Sequence, residues 1–380
     1  MPRAALRPVP LCALITALVL ASLVAGCDGE APVVVSAPDS SSSPTEDCGR
    51  KGPARAICGF TNPEDMVPLP GDRALLIGEY GQSADDHSGG LVVFDLASES
   101  KTVVFRGGEV PATAEAGWGA PDCTTAPGEG FNSHGIDLVR RDDGRLALLV
   151  VQHGSREAVE FFEVRETGTG WQVDWRGCVP SPPDASLNEV AALSDGSFFT
   201  TKMASIAGAA DLSGGFPEGP TGTAFYWSAE GGFVVVAGTA GVMPNGIAAS
   251  PDGRTIYMNA SGENSIRKVD VARGVEVGRA VVSSPDNVTW SPDGRLLVAS
   301  LRGIDDPELF EECLAASDRP CPIPFAIVAV DPESMMNLGV VYESDGQPMG
   351  AGTVGLQVGD ELFVGSFKGD RILRIALGDG

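Results

Sequence analysis

The sequence predicts an all-β protein, a six-bladed β-propeller, from three observations. Six segments share one pattern: an apolar alternating strand, a turn built on Gly and Asp, and a second apolar strand. They read PEDMVPLPGDRALLIGEY, HGIDLVRRDDGRLALLVVQH, NEVAALSDGSFFTTKM, NGIAASPDGRTIYMNAS, DNVTWSPDGRLLVASL and GTVGLQVGDELFVGSF. Their turns fall near residues 71, 143, 195, 252, 293 and 359, and an interval of roughly 40 to 70 residues holds the four short strands of one blade. Helical periodicity is weak and is confined to DDPELFEECLAA, residues 305–316. A sandwich or a doubly wound sheet would need different spacing or alternating helices. The 28 prolines and 49 glycines suit a turn-dense chain.

In chain order, Arg3 and Arg7 precede an apolar run from Leu11 to Gly26, 16 residues long. That run is short for a membrane span and has the layout of a secretory signal. Ala25 and Gly26 stand directly before Cys27, so residues 1–26 are expected to be a bacterial lipoprotein signal whose cleavage leaves Cys27 as a lipidated N-terminus. Residues 27–47 are rich in Ser, Pro and acids and are expected to be a flexible linker. The propeller is expected over 48–380, with DRILRIAL closing the ring against strand material near the N-terminus. Without Arg3 and Arg7 the chain keeps 24 basic against 51 acidic residues, a net charge of −27. Such a body should avoid nucleic acid and other polyanions, and it is compatible with cation binding. The expected protein is an exported, envelope-anchored monomer that meets the membrane only through its lipid.

Besides Cys12 and Cys27, six cysteines remain, Cys48, Cys58, Cys123, Cys178, Cys313 and Cys321. An even number in an exported chain favours disulfides. Spacing suggests 48 with 58, 313 with 321 and therefore 123 with 178, although six cysteines allow 15 connectivities. No Cys-x-x-Cys pair or neighbouring His supports a zinc site.

Aligning the segments on their turns exposes a second pattern about seven residues upstream. Glu64 with Asp65, Asn188 with Glu189, Asn245, and Asp286 with Asn287 share one register. The innermost strand of every blade runs along the central channel in the same direction, so these starting positions converge at one mouth. Carboxylates and amide carbonyls are hard oxygen ligands, suited to Ca²⁺ in a central channel. Glu64 and Asp286 would balance one divalent charge. The alternative for each residue alone is local, since Asn, Asp and Glu also cap turns and start strands. The second segment breaks the register with His134, and the sixth offers Gly352 and Thr353.

These segments resemble the paraoxonase and arylesterase family of calcium-dependent lactonases, itself related to gluconolactonase-like propellers. FNSHGIDL resembles that family's Phe-Asn-Pro-His-Gly-Ile motif, and LLVVQHGSREAVEFFEV its Leu-Leu-Val-Val-Asn-His segment. NPED, SLNEVAAL, MPNGIAASPDGRTIY and SPDNVTWSPDG resemble the strand starts that supply its ligands. The resemblance runs from about residue 62 to 376 and is diffuse between motifs. It implies a hydrolase of lactones or aryl esters with two Ca²⁺ ions stacked in the channel. Glu64, Asn188, Asn245, Asp286 and Asn287 would hold the catalytic ion. Asp65, Glu189 and the carbonyl of Ile136 would hold the structural one. His134 would be the general base and His153 its partner in a dyad, whereas His87 is expected to be a solvent-facing loop residue.

Four positions depart from the family. Glu189 stands where Asp is usual, and Leu301 where the paraoxonases place a further histidine. Residues 205–227 are Gly- and Pro-rich where the family has an aromatic lid, so a more open entrance is expected, with Phe225, Tyr226 and Trp227 in a core strand. The family's cysteine tie between first and last strands has no counterpart near this C-terminus. Two other functions fit the sequence, a sugar lactonase that uses a carboxylate base and a non-catalytic binding propeller pinned by calcium.

Overall fold

Runs such as Ala74–Glu79 and Ala147–Gln152 are buried along their whole length, so their sheets need neighbours against both faces. Six small sheets stacked radially supply those neighbours, each sheet packing between two others. The computed structural model describes residues 42–81, 89–108, 113–209, 216–316 and 320–378. Ser40–Gly380 make up one compact unit. The signal, Cys27 and His87 lie outside the described residues.

Blade I contains Pro63–Pro68, Ala74–Glu79, Gly90–Asp95 and Ser100–Phe105, from the channel outward, with Ser42–Pro44 on its outer edge. Blade II is Phe131–Arg140, Leu146–Gly154, Ala158–Thr167 and Gly170–Pro180, and blade III is Ser186–Ala192, Phe198–Ala204, Thr223–Ser228 and Gly232–Val235. Blade IV follows with Pro244–Ala249, Thr255–Ala260, Ser265–Asp270 and Val275–Val281, and blade V with Pro285–Trp290, Leu296–Leu301, Phe325–Val330 and Asn337–Ser344. Blade VI takes Gly352–Val358, Glu361–Ser366 and Arg371–Ala376 from the C-terminus, then Ala54–Cys58 and Glu46–Lys51 from the N-terminus. The closing register pairs Arg371 with Cys58 and Ile375 with Ala54, as the DRILRIAL segment suggested. All six expected hairpin turns join the first two strands of their blades.

Strand pairing begins at Ser42, within the segment assigned by composition to the linker. Ser42 to Pro44 pair with Thr102 to Ser100 along the open edge of blade I, where a Pro is tolerated because no inner ladder bond is lost. The boundary at Cys48 is therefore corrected to about Ser42. Ser and Pro content speaks against a central strand but not against an edge strand.

Each blade interface is an apolar layer. Leu76 and Phe105 of blade I meet Phe131 and Phe162 of blade II, and Leu149 and Phe161 meet Leu187, Phe198 and Trp227 of blade III. The same layering continues through Phe199 with Ile256 and Met258, Tyr257 with Val288 and Val298, Leu297 and Phe325 with Leu362 and Leu373, and Phe94 with Phe363 and Ile57. Trp227 is buried and stacks on Phe198 at 5.3 Å, so it is a core residue and not part of a lid.

Near the channel one side chain at each interface bonds to the next blade's backbone. Asp65 accepts from the Ile136 amide at 2.7 Å and Asp137 from the Ala192 amide at 2.8 Å. Thr201 donates to the Asn245 carbonyl at 2.6 Å, Asn259 to that of Asp286, Thr289 to Gly355 at 2.6 Å and Thr353 to Glu64 at 2.6 Å. The three disulfides are Cys48–Cys58, Cys123–Cys178 and Cys313–Cys321. The last ties down the helix Pro307–Leu314, which is capped by Asp306 through the amides of Glu308 and Leu309.

Candidate active site

The innermost strands do more than converge. In all six blades the pairing of the first strand with the second slips just after the strand begins: between Pro63 and Asp65, Ser133 and Ile136, Leu187 and Val190, Pro244 and Ile247, Pro285 and Val288, and Gly352 and Val354. A bulge breaks strict alternation and re-aims side chains. This is how consecutive residues such as Glu64 and Asp65, or Asp286 and Asn287, can both serve the channel. Three entries add a left-handed residue followed by proline, Asn62-Pro63, Met243-Pro244 and Ser284-Pro285, with φ of 45°, 53° and 37° at the first position. Left-handed non-glycine backbone is costly and persists where the surroundings over-determine it; here it turns the chain sharply into the channel. Close approach also explains two glycines, since a Cβ at Gly135 would collide with the Glu189 carboxylate and one at Gly246 with the backbone of Asp286 and Asn287.

Two pairs of the expected ligands meet directly. Asn287 donates to Glu64 Oε1 at 2.9 Å, and Asn245 bonds the Asp286 carboxyl group. Glu64 Oε2, Asn188 Oδ1 and Asn245 Oδ1 are buried without a hydrogen-bond partner. Orphaned buried oxygens are costly, and three acceptors from three blades at one mouth form a donor set suited to a hard divalent cation. Among the described residues no three His, Cys, Asp or Glu side chains form a ligand cluster by themselves, so amide oxygens are needed. The lower layer is arranged differently. Asp65 accepts the amides of Met66 at 2.8 Å and Ile136 at 2.7 Å and shares a hydrogen bond with Glu189. Its carboxyls are largely satisfied, and a cation there would have to displace the shared proton. Ile136 meets this layer through its N–H.

Burial dominates the electrostatics. Desolvation pushes Glu64 and Glu189 well above the ordinary carboxyl range, helped by Asp65 and, for Glu64, by Asp286. The same cause raises Asp65 and Asp286 to about 7 and Asp137 to about 6. Among the described residues no Lys or Arg forms an ion pair with these five groups. Below the carboxylates, the half of the channel toward the hairpin turns holds a cavity of about 440 Å³ lined by Asp65, Asp137, Glu189, Val288 and Trp290. The histidines do not line it; they stand with the strand entries at the other mouth.

His134 Nδ1 lies 3.0 Å from His153 Nε2, and its Nε2 lies 3.9 Å from Glu64 Oε1. Burial drives the His134 pKa well below its usual value, with His153 adding to the effect, so the ring is neutral near pH 7. Tyr80 packs edge-on against His134 at 5.0 Å and His153 at 6.1 Å. His153 Nδ1 meets both carboxylate oxygens of Glu157 at 2.9 and 2.8 Å. Glu157, Tyr80 and Asp137 carry no motif in the sequence that marks them as part of the site. For Glu157 the only signal was an acid four residues after His153 in HGSRE, where the chain reverses between strands.

This geometry can be set beside known proteins. Residues 135–301 match the SMP-30/Gluconolactonase/LRE-like region. The SMP-30/gluconolactonase-like span starts one residue after His134 and runs from the innermost strand of blade II to the second strand of blade V. It agrees with the likeness carried by the strand-start motifs. A luciferin-regenerating enzyme is 15% identical, covering 84% of this chain and 93% of its own with a TM-score of 0.50. A gluconolactonase from Xanthomonas campestris is 16% identical, covering 89% and 96% with a TM-score of 0.50. At such identities they support the fold alone. No curated protein sequence matches significantly.

Proposed function

We propose that the protein is a calcium-dependent lactonase that also accepts aryl esters. The observation that carries this is the set of three orphaned oxygens, Glu64 Oε2, Asn188 Oδ1 and Asn245 Oδ1, beside a neutral histidine pair. Glu64, Asn188, Asn245, Asp286 and Asn287 would hold the catalytic ion; a second, structural ion at Asp65 and Glu189 would have to displace the hydrogen bond they share, and the expected Ile136 carbonyl ligand is replaced there by the Ile136 N–H donated to Asp65. When bound, calcium supplies Lewis-acid polarisation of the ester carbonyl and charge stabilisation of the oxyanion. His134 takes a proton from the attacking water at Nε2, the nitrogen not engaged by His153. His153 holds the ring of His134 through the 3.0 Å contact. Tyr80 shields one side of both rings from solvent.

The sugar-lactonase reading is favoured by the family match itself, and in it a channel carboxylate is the base. Substituting His134→Gln separates the two. The paraoxonase-like reading expects kcat on aliphatic lactones to fall by about 10²–10⁴-fold, whereas retained turnover of a sugar lactone identifies the second. Calcium binding without turnover of any lactone or ester identifies a non-catalytic propeller.

Export as a lipoprotein through Cys27 belongs to the same proposal. Three disulfides support an oxidising compartment. No helix among the described residues is long and apolar enough to cross a membrane. Mass spectrometry of the mature N-terminus tests the lipid.

A further inference from the structure

We propose that Glu157 is a positioning residue that sets the tautomer of His153 and, through it, that of His134. Only the catalytic consequence rests on the lactonase reading. An ionised carboxylate accepts hydrogen bonds and donates none. With both Glu157 oxygens within 2.9 Å of His153 Nδ1, that nitrogen carries the proton, and in a neutral ring Nε2 then carries the lone pair. The His134–His153 contact at 3.0 Å needs one donor and one acceptor. His134 Nδ1 is therefore the donor, and its Nε2 lone pair faces the channel mouth, as a base there requires.

Glu64 pulls the other way, because a carboxylate beside His134 Nε2 would favour a proton on that atom. Distance decides between them. Glu64 Oε1 is 3.9 Å from Nε2 and already accepts from Asn287 at 2.9 Å, beyond hydrogen-bond reach of the histidine. Glu157 is at full hydrogen-bonding distance. It is also part-exposed, at 28% of its side-chain area. The polarity of a buried pair is thus fixed from its solvent edge, the logic by which a carboxylate orients a catalytic histidine.

The test uses the Ser40–Gly380 unit labelled with ¹⁵N-histidine, in calcium at pH 8, with His87→Asn to leave two rings. Long-range ¹H–¹⁵N spectra distinguish protonated from lone-pair nitrogens. The expected result is Nδ1–H on both His153 and His134. Glu157→Ala should return His153 to mixed tautomers and change the His134 pattern with it, although Glu157 does not contact His134. Glu157→Gln, which can either accept or donate, should give an intermediate pattern and guards against loss of fold in the alanine variant. A proton on His153 Nε2 in the parent, as the other tautomer or as imidazolium, overturns the proposal, as do unchanged ring spectra in both variants. Where the parent hydrolyses lactones, Glu157→Ala should lower kcat about 10–100-fold with little change in KM. Absence of turnover in the parent would refute the lactonase reading and leave the spectra to judge Glu157.

Discussion

At the residue scale, the channel mouth is defined by what its side chains lack. Glu64 Oε2, Asn188 Oδ1 and Asn245 Oδ1 have no partner in the protein, and Glu64 is buried at 1% exposure. Replacing Asn188 by Ala deletes one of the three acceptors without touching the ladder. Calcium affinity measured by calorimetry is expected to fall on the order of 10–100-fold, and Glu64→Gln to fall further because a charge is lost as well. Unchanged affinity in both would place the cation elsewhere. These residues were legible because they share one register, about seven residues upstream of the Gly/Asp turn of their segments. Glu157 was not legible, because its role depends on the reversal after Gly154 that brings its carboxylate back to His153.

At the scale of elements, the bulged strand entry is the device that turns two neighbouring side chains toward the channel. Pattern alone implies that Glu64 and Asp65 point to opposite faces, since a regular strand alternates; the slipped register removes that constraint. The entries are held from the neighbouring blade, and Thr353 anchors the Glu64 carbonyl across the ring closure at 2.6 Å. Thr353→Val keeps the shape and orphans a buried carbonyl, a loss of about 1–3 kcal/mol. It should lower Tm by several degrees and loosen calcium binding, measured by thermal unfolding with and without the ion. A change in Tm with calcium affinity intact would mean that the bond serves the fold alone. The repeat grammar located all six hairpins, but it contained no sign of the fifth strands of blades I and VI. Ser42–Pro44 owe their conformation to the open edge of Ser100–Phe105, far along the chain, whereas Glu46–Lys51 folds back on the adjacent Ala54–Cys58 and reaches blade VI only because that strand pairs with Arg371–Ala376; local composition reports neither edge.

At the scale of the whole molecule, five channel carboxyls have been taken out of water without a basic partner among the described residues. Asp65 and Asp286 are raised to about 7 and Asp137 to about 6, above the ordinary value near 4 that they recover on unfolding. Between about pH 4 and 7 the folded state therefore binds more protons than the unfolded one, and the stability of the cation-free protein must fall as pH rises. On the proposed reading calcium replaces those protons, and its stabilising effect then grows over the same interval. Unfolding with chelator is expected at lower temperature at pH 8 than at pH 5, and the gain on adding calcium is expected to be larger at pH 8. A calcium gain independent of pH would show that these carboxyls do not take part in binding.

The proposed role of the channel mouth is lactone hydrolysis with calcium held by its orphaned oxygens. The most direct measurement is turnover of a panel of aliphatic lactones, a sugar lactone and phenyl acetate by the Ser40–Gly380 unit, in calcium, after chelation and after calcium is restored. Aliphatic lactones should turn over, with chelation abolishing turnover and calcium restoring it. Turnover that survives chelation, or calcium binding with no turnover of any member of the panel, would contradict that role.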